Sequence, residues 1–238
     1  GKGIDGAKLT GDNNTAVGTN AGLLLQGAAA QNTLIGALAG DAITTAVDNT
    51  AVGFQALTQT NTGIQNVAMG TNACSGNTSG LRNTGIGFQA LANNISGDDN
   101  TGMGYNAGVN ITTGHSNVAL GVSSLNEEDT GRNNVAIGYQ ALFTQDNDTE
   151  NYNTAVGYAA GKGLTTGLRN SIMGANTAAA ALTGNDNVII GYESGAALTS
   201  GSSSTFVGKN AGNQMTTGGN NTLIGFDAGE FATTTDNS

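Results

Sequence analysis

The chain has 238 residues, a formal net charge of −10 at pH 7, 39 glycines, no proline or tryptophan, one cysteine and one histidine. Only 7 Lys and Arg oppose 17 Asp and Glu, so the chain lacks the basic surface that binds a phosphate backbone, which disfavours a nucleic-acid partner. Cys74 and His115 offer at most two soft ligands for a metal cofactor, and no run of about 18 apolar residues predicts a membrane span.

A five-residue phrase, Asn-Thr-Ala-Val-Gly with variations, recurs along the chain. Its first residue falls at 14, 32, 49, 66, 83, 100, 117, 134, 153, 170, 187, 204 and 221. Ten of the twelve intervals are 17 residues; an 18-residue interval adds one residue near Gly27, and a 19-residue interval adds two between Gln145 and Tyr152. This period, with a short β-branched segment in each repeat, predicts one strand per repeat and a β-solenoid.

The positions of the repeat, numbered from zero at the first residue of the phrase, predict their own roles. Position 0 is Asn in twelve of thirteen repeats, with Ser204 as the exception, and Asn at one height of successive coils can form an amide ladder. Position 4 is Gly in all thirteen, as expected for a corner with positive φ or close backbone approach.

These features predict an all-β fold, a parallel β-roll of about fourteen 17-residue coils. The whole of residues 1–238 is expected to be a single repeat domain. Residues 1–13 would be a partial first coil, residues 14–237 thirteen coils, and residue 238 the start of a next coil of a longer periodic protein.

The strand itself points beyond a monomer. Position 3 is always a larger aliphatic residue or Met, and position 2 is apolar or Gly, although adjacent residues of a strand face opposite sides. Both faces therefore require burial. One can line the coil interior, and the other needs another surface, most simply the same face of a second copy of the chain.

The repeats resemble those of known surface fibres. Ser116–Gly121 and Asn133–Gly138 are similar to the Asn-Ser-Val-Ala-Ile-Gly repeat in the heads of trimeric autotransporter adhesins. Asn49–Leu57 and Asn134–Leu142 are more similar to the Asn-Thr-Ala-Ile-Gly-Tyr-Gln-Ala-Leu repeats of phage tail fibres and bacterial surface fibres. The resemblance covers residues 14–238. It implies a left-handed parallel β-roll wound as a homotrimer, exposed on a cell or virion surface and acting in attachment.

The expected function is accordingly that of a non-enzymatic, extracellular fibre segment. Repeated loops on a rigid trimeric β-roll would attach to a host-surface receptor or glycan through many weak contacts. Two alternatives stay open: a monomeric ice- or surface-binding solenoid, and a purely structural extracellular filament subunit. Flat ranks of Thr would favour ice binding, but Thr or Ser at position 13 forms only one column, because position 11 is rarely Thr.

The turn with the two-residue insertion is the most irregular part of the chain and supplies the binding-loop candidates Phe143, Asp146, Asp148 and Tyr152. Asp146, Asp148 and Glu150 alternate and are weak candidates for Ca²⁺ ligands, although the spacing of an EF-hand is absent. A solvated acidic bulge is the simpler interpretation, and no metal or other cofactor is expected.

The other chemically distinctive residues are expected to be structural. Glu127–Asp129 is interpreted as a second solvated acidic corner, His115 as a corner residue and Cys74 as a small apolar filler at position 8. Seven of the eleven Phe and Tyr residues occupy position 5, which predicts a stacked ladder rather than the sugar platforms of a glycosidase. The chain is therefore not expected to be an enzyme.

Overall fold

The structure, a computed structural model, describes residues 11–147 and 150–234. These residues form thirteen three-residue strands and no helix. The partial first coil up to residue 10, the start of a next coil at residue 238, and Asp148 lie outside the described residues. The strands are β1 (Thr15–Val17), β2 (Thr33–Ile35), β3 (Thr50–Val52), β4 (Val67–Met69), β5 (Thr84–Ile86), β6 (Thr101–Met103), β7 (Val118–Leu120), β8 (Val135–Ile137), β9 (Thr154–Val156), β10 (Ser171–Met173), β11 (Val188–Ile190), β12 (Thr205–Val207) and β13 (Thr222–Ile224).

The chain forms two compact units, Gly1–Ser116 with β1–β6 and Asn117–Ser238 with β7–β13. Within each unit the strands pair in parallel and in chain order. The phrase stays aligned even across the irregular intervals: Thr15 pairs with Thr33 and Val135 with Thr154. The extra residues are therefore accommodated in corners, and each unit is the parallel β-solenoid that the 17-residue period predicts.

The predicted amide ladder is present and buried. The backbone N–H of Asn66 donates to Oδ1 of Asn49 at 2.9 Å, and its Nδ2 donates to the same oxygen at 3.2 Å. The same Nδ2 also donates to the carbonyl of Gly80 at 2.8 Å, a corner bond that the sequence did not predict. Ser204 continues the ladder, because its Oγ accepts the N–H of Asn221 at 3.2 Å.

The glycine at position 4 closes the corner after each strand. Gly53 has a φ of 138°, and a Cβ at this residue would lie 2.5 Å from the carbonyl oxygen of Gly70 in the next coil. Both the dihedral angle and the close approach exclude a side chain, which confirms the expected role of this glycine.

Positions 2 and 8 fill the core with complementary sizes. Every Leu or Cys at position 8 lies between Ala or Gly residues at position 2, and every large residue at position 2 lies between Gly or Ala residues at position 8. A Cβ on Gly102 would lie 2.8 Å from Cγ of Leu91, and one on Gly212 would lie 3.1 Å from the ring of Phe206. This exchange of volume keeps the interior closely packed while individual residues vary.

Position 11 also points into the core, which the sequence analysis did not recognise. Its side chains are buried in eleven of the thirteen coils, among them Ile43, Ile111, Leu164, Leu198 and Met215. The exceptions are Ala181, beside which Leu182 is buried instead, and Ala232 in the last described coil. A Thr array that used positions 11 and 13 together is therefore impossible on this surface, because only position 13 faces solvent.

Candidate functional site

The strand divides its side chains as the two-faced apolar pattern predicts. Position 2 is buried in every described coil except the first and the last, as Ala51 and Ile189 illustrate. Position 3 is not buried in any of the described coils, and Met69, Met103 and Met173, none of them in the first or the last coil, are 43%, 42% and 50% exposed. The outward side of the strand therefore remains uncovered by the chain's own residues.

The aromatic residues at position 5 form a column beside this strand face. Phe88 and Tyr105 stack with centroids 5.3 Å apart and planes 8° apart, and Tyr139 and Tyr158 stack at 5.2 Å and 9°. The predicted ladder is confirmed for both pairs of aromatic residues in neighbouring coils. The seven aromatic residues at position 5, called here the aromatic column, are Phe54, Phe88, Tyr105, Tyr139, Tyr158, Tyr192 and Phe226. All seven side chains are exposed, which the sequence analysis did not predict.

Positions 1, 3 and 5 together make an outward surface, called here the outer face, that is almost free of charge. Position 5 lies just beyond the corner glycine that follows position 3, and the residues of both positions are exposed or half-buried in the described coils. None of the chain's 17 acidic residues occupies position 1, 3 or 5 in the thirteen repeats, and the one charged residue there is Lys209. Its Nζ lies 5.9 Å from the ring centroid of Tyr192 and 5.5 Å from that of Phe226, within the range of cation–π attraction.

The insertion turn, residues 143–152, carries the binding-loop candidates. Phe143 is half-buried beneath Lys162, whose Nζ lies 5.8 Å from its ring centroid, and Asp146 is exposed. Tyr152 is exposed and donates its hydroxyl hydrogen to Glu150 at 2.7 Å. Asp148 lies outside the described residues.

Glu128, interpreted from the sequence as part of a solvated acidic corner, is instead fully buried at position 11. Its Oε1 accepts the N–H of Gly131 at 2.6 Å, and its Oε2 accepts hydrogen bonds from Gln145 Nε2 at 2.9 Å and Asn151 Nδ2 at 2.7 Å. The expectation was wrong because position 11 points inward even where it is polar, as at Asn77 and Asn94, and the donors compensate for the lost water.

Burial is the main reason that the pKa of the Glu128 carboxyl rises from 4.5 to about 7. The charge of Asp146 acts in the same direction, whereas the hydrogen bonds from Gly131 and Gln145 favour the ionised form and oppose the rise. At about pH 7 the protonated and ionised forms of the Glu128 carboxyl are therefore similarly populated.

The repeat itself contained the signal that would have identified Glu128. Asn77 and Asn94 occupy the same position in their coils, and Oδ1 of Asn77 accepts the N–H of Gly80 at 2.8 Å, just as Glu128 accepts that of Gly131. Glu128 keeps this role in the turn and, being one methylene longer, also reaches Asn151 in the insertion turn.

Carboxylate oxygens of Glu128, Asp129 and Asp146 lie within 4.8 Å of one another. Oxygen donors suit Ca²⁺, but those of Glu128 already accept hydrogen bonds from the protein. Of the proposed Ca²⁺ ligands, Asp146 belongs to this group, while Glu150 binds the Tyr152 hydroxyl. The arrangement is a buried polar network with an acidic rim.

His115 and Cys74 occupy structural positions. His115 Nδ1 accepts the backbone N–H of Asp98 at 3.1 Å in its corner. Cys74 is buried against Gly85, and burial raises the pKa of its thiol to about 12, so the reactive thiolate is scarce at physiological pH.

The fold places the chain in the class of parallel β-solenoids. Comparisons with protein-family models, with curated proteins and with solved structures found no match. Within residues 11–147 and 150–234, the structure has no helix of the length and hydrophobicity needed to cross a membrane.

Proposed function

We propose that this chain is a segment of a non-enzymatic extracellular fibre that self-associates through its outer face and attaches to a surface through its turns. The observation that carries the proposal is the combination of exposure and neutrality at positions 1, 3 and 5. Covering the exposed half of a Val, Ile or Met side chain contributes about 1 kcal/mol. Repeated once per coil, that gain favours association strongly enough to offset the entropy of assembly.

The resemblance to surface-fibre repeats supports three copies wound as a left-handed homotrimer, on a cell surface or a virion. In such an assembly the thin coils gain a shared apolar interior, while the exposed acidic residues remain on the outside. Their negative charge would keep neighbouring fibres apart in solution.

Attachment to a host surface is assigned to the turns, because self-association would cover the outer face. The insertion turn is the most distinctive of them, with exposed Asp146 and Tyr152 and the half-buried ring of Phe143. Each copy of the chain would present this turn once. A host-surface glycan or protein receptor could then be bound by several turns at once, with affinity gained through avidity.

The first test is the mass of the recombinant chain by sedimentation equilibrium. Three chains per particle are expected. A stable monomer would overturn the fibre proposal and favour the solitary ice- or surface-binding solenoid.

Methionine oxidation by hydrogen peroxide tests the surface used. Met69, Met103 and Met173 lie at position 3 and are exposed in the single chain, whereas Met215 is fully buried in the core. In the assembled protein all four should oxidise slowly. Dilution below the dissociation constant should accelerate oxidation of the first three and leave Met215 protected; equal rates before and after dilution would contradict burial of the outer face.

The attachment role is tested on a printed glycan array with Tyr152→Ser beside the unchanged chain. Binding by the unchanged chain that weakens in the variant, with the oligomeric mass preserved, would support the insertion turn as the attachment site. Undiminished binding by the variant would exclude Tyr152 from the contact.

A further inference from the structure

We infer that the aromatic column at position 5 is a contact surface between parallel copies of this chain, with each coil level with the same coil of its neighbour. This inference rests on the proposed self-association. It goes further in two respects. It assigns the rings to the interface between chains, whereas the sequence analysis assigned them only to a ladder within one chain. It also sets how far one copy is shifted along the stacking axis relative to the next, namely not at all.

The rings are too exposed for an internal role alone. Tyr105 is 52% exposed and Tyr158 is 57% exposed, although stacking already covers one side of each ring. A large aromatic side chain buries about 150–250 Å² when it is covered, and Tyr and Phe are enriched at protein–protein interfaces. Three of these rings in the first unit and four in the second lie near the exposed position 3 residues of their own unit, so each unit has a largely apolar exposed surface.

The charge pattern identifies a second copy as the partner. An acidic chain of net charge −10 can approach another copy closely only where it carries no carboxylates. The outer face meets this condition along all thirteen repeats. Its single charge, on Lys209, is held against the rings of Tyr192 and Phe226, so even the cation is directed along the column.

The period of the surface gives the relative height. The aliphatic and Met residues of position 3 recur once per coil, about every 4.8 Å, and the seven rings lie at multiples of the same spacing. A partner must present this spacing to cover them all. A second copy does so by construction. Closed rotational symmetry about an axis parallel to the stacked coils leaves heights unchanged, so Tyr139 and Tyr158 would meet residues of the same coils in the neighbouring copies.

The experiment compares self-association of the unchanged chain with that of two variants by sedimentation equilibrium. Tyr139→Ser with Tyr158→Ser removes a stacked pair from the column. Ile95→Ser with Phe231→Ser is the matched control, because these two residues are 48% and 85% exposed and lie outside positions 1, 3 and 5. The column variant should associate at least about tenfold more weakly, and the control should associate like the unchanged chain.

A variant that is expected to strengthen self-association provides a second test, whose result cannot be explained by destabilisation of the fold. Lys209→Tyr removes the only charge on the outer face and places a ring between Tyr192 and Phe226. It should tighten association by about tenfold. Lys162→Tyr, the control, removes an equal charge at position 9, away from the face, and should leave association unchanged.

The outcomes separate the two proposals. If the unchanged chain is monomeric, the proposed self-association fails. If it assembles and the column variant and Lys209→Tyr both assemble with unchanged affinity, self-association stands and the assignment of the aromatic column is overturned. Normal assembly of the column variant with loss of binding to a printed glycan array would also overturn it, because the rings would then be a sugar platform.

Discussion

Asn151 donates a 2.7 Å hydrogen bond from Nδ2 to Oε2 of Glu128, 23 residues earlier in the chain. The bond ties the insertion turn to a carboxylate inside the solenoid core. Gln145, which occupies position 11 in the next coil, donates to the same oxygen and accepts a hydrogen bond from Asn153 Nδ2 at 3.3 Å through its own Oε1. The most irregular surface turn of the chain is therefore anchored by a buried network connected to the amide ladder.

This network makes stability depend on pH. The folded-state pKa of Glu128, about 7, lies above its ordinary value of 4.5, so the folded chain binds the proton more tightly than the unfolded chain. Stability from this group is fully present below about pH 4.5, falls as pH rises through about 7, and stays low above it. The loss should be about 3 kcal/mol in the free energy of unfolding.

Urea unfolding of the unchanged chain and of Glu128→Gln, at pH 5, 6, 7 and 8, isolates this contribution. The variant cannot titrate at residue 128, so its stability relative to the unchanged chain should improve as pH rises. Asp146→Asn is the control and should retain most of the pH dependence. A difference between the unchanged chain and Glu128→Gln that stays constant from pH 5 to pH 8 would refute the assignment.

The 17-residue period was sufficient to predict the strands, the amide ladder and the glycine corners, because each depends on backbone geometry that repeats identically. It could not assign position 11, since the inside–outside alternation of a strand does not continue through a corner. Polar residues such as Asn77 and Asn94 made that position resemble a surface turn. The sequence could not predict the exposure of Tyr139 and the other rings of the aromatic column either, because a stacked ladder can lie inside or outside a coil.

The amide ladder should be a major source of stability. Asn66→Ala removes the acceptor of the buried Asn83 N–H, a 2.8 Å bond, and leaves that N–H unpaired. It also removes the stronger of two donors to the Gly80 carbonyl, which keeps the 3.2 Å bond from Asn77 Nδ2. The free energy of unfolding should fall by about 2–4 kcal/mol. Asn61→Ala, at an exposed turn position, is the control and should change it by less than about 1 kcal/mol. Equal midpoints of urea unfolding for the two variants would contradict the role of the ladder.

Thr60 offers a stabilising substitution. Its hydroxyl is buried at position 11, and its Oγ1 has no hydrogen-bond partner among the described residues. Thr60→Val keeps the shape and removes the unpaired polar group, so stability should rise by about 1 kcal/mol. The same change at exposed Thr62 should have an effect within about 0.5 kcal/mol of zero. Destabilisation by Thr60→Val in urea unfolding would mean that the hydroxyl is hydrogen-bonded in solution.

The complementary sizes of positions 2 and 8 predict strong coupling between Leu91 and Gly102. Gly102→Leu alone would force the new side chain into Leu91 and should cost about 1–3 kcal/mol of stability. Leu91→Gly alone would leave a cavity, which should cost about 2–5 kcal/mol of stability. Part of that cost should be offset, because glycine adopts the positive φ of 52° at this residue more easily than leucine does. The double variant recreates the arrangement in which Leu34 lies between Gly22 and Gly40, so it should approach the stability of the unchanged chain. A double-mutant cycle by urea unfolding measures this coupling. Additive losses would show that the core does not exchange volume between the two positions.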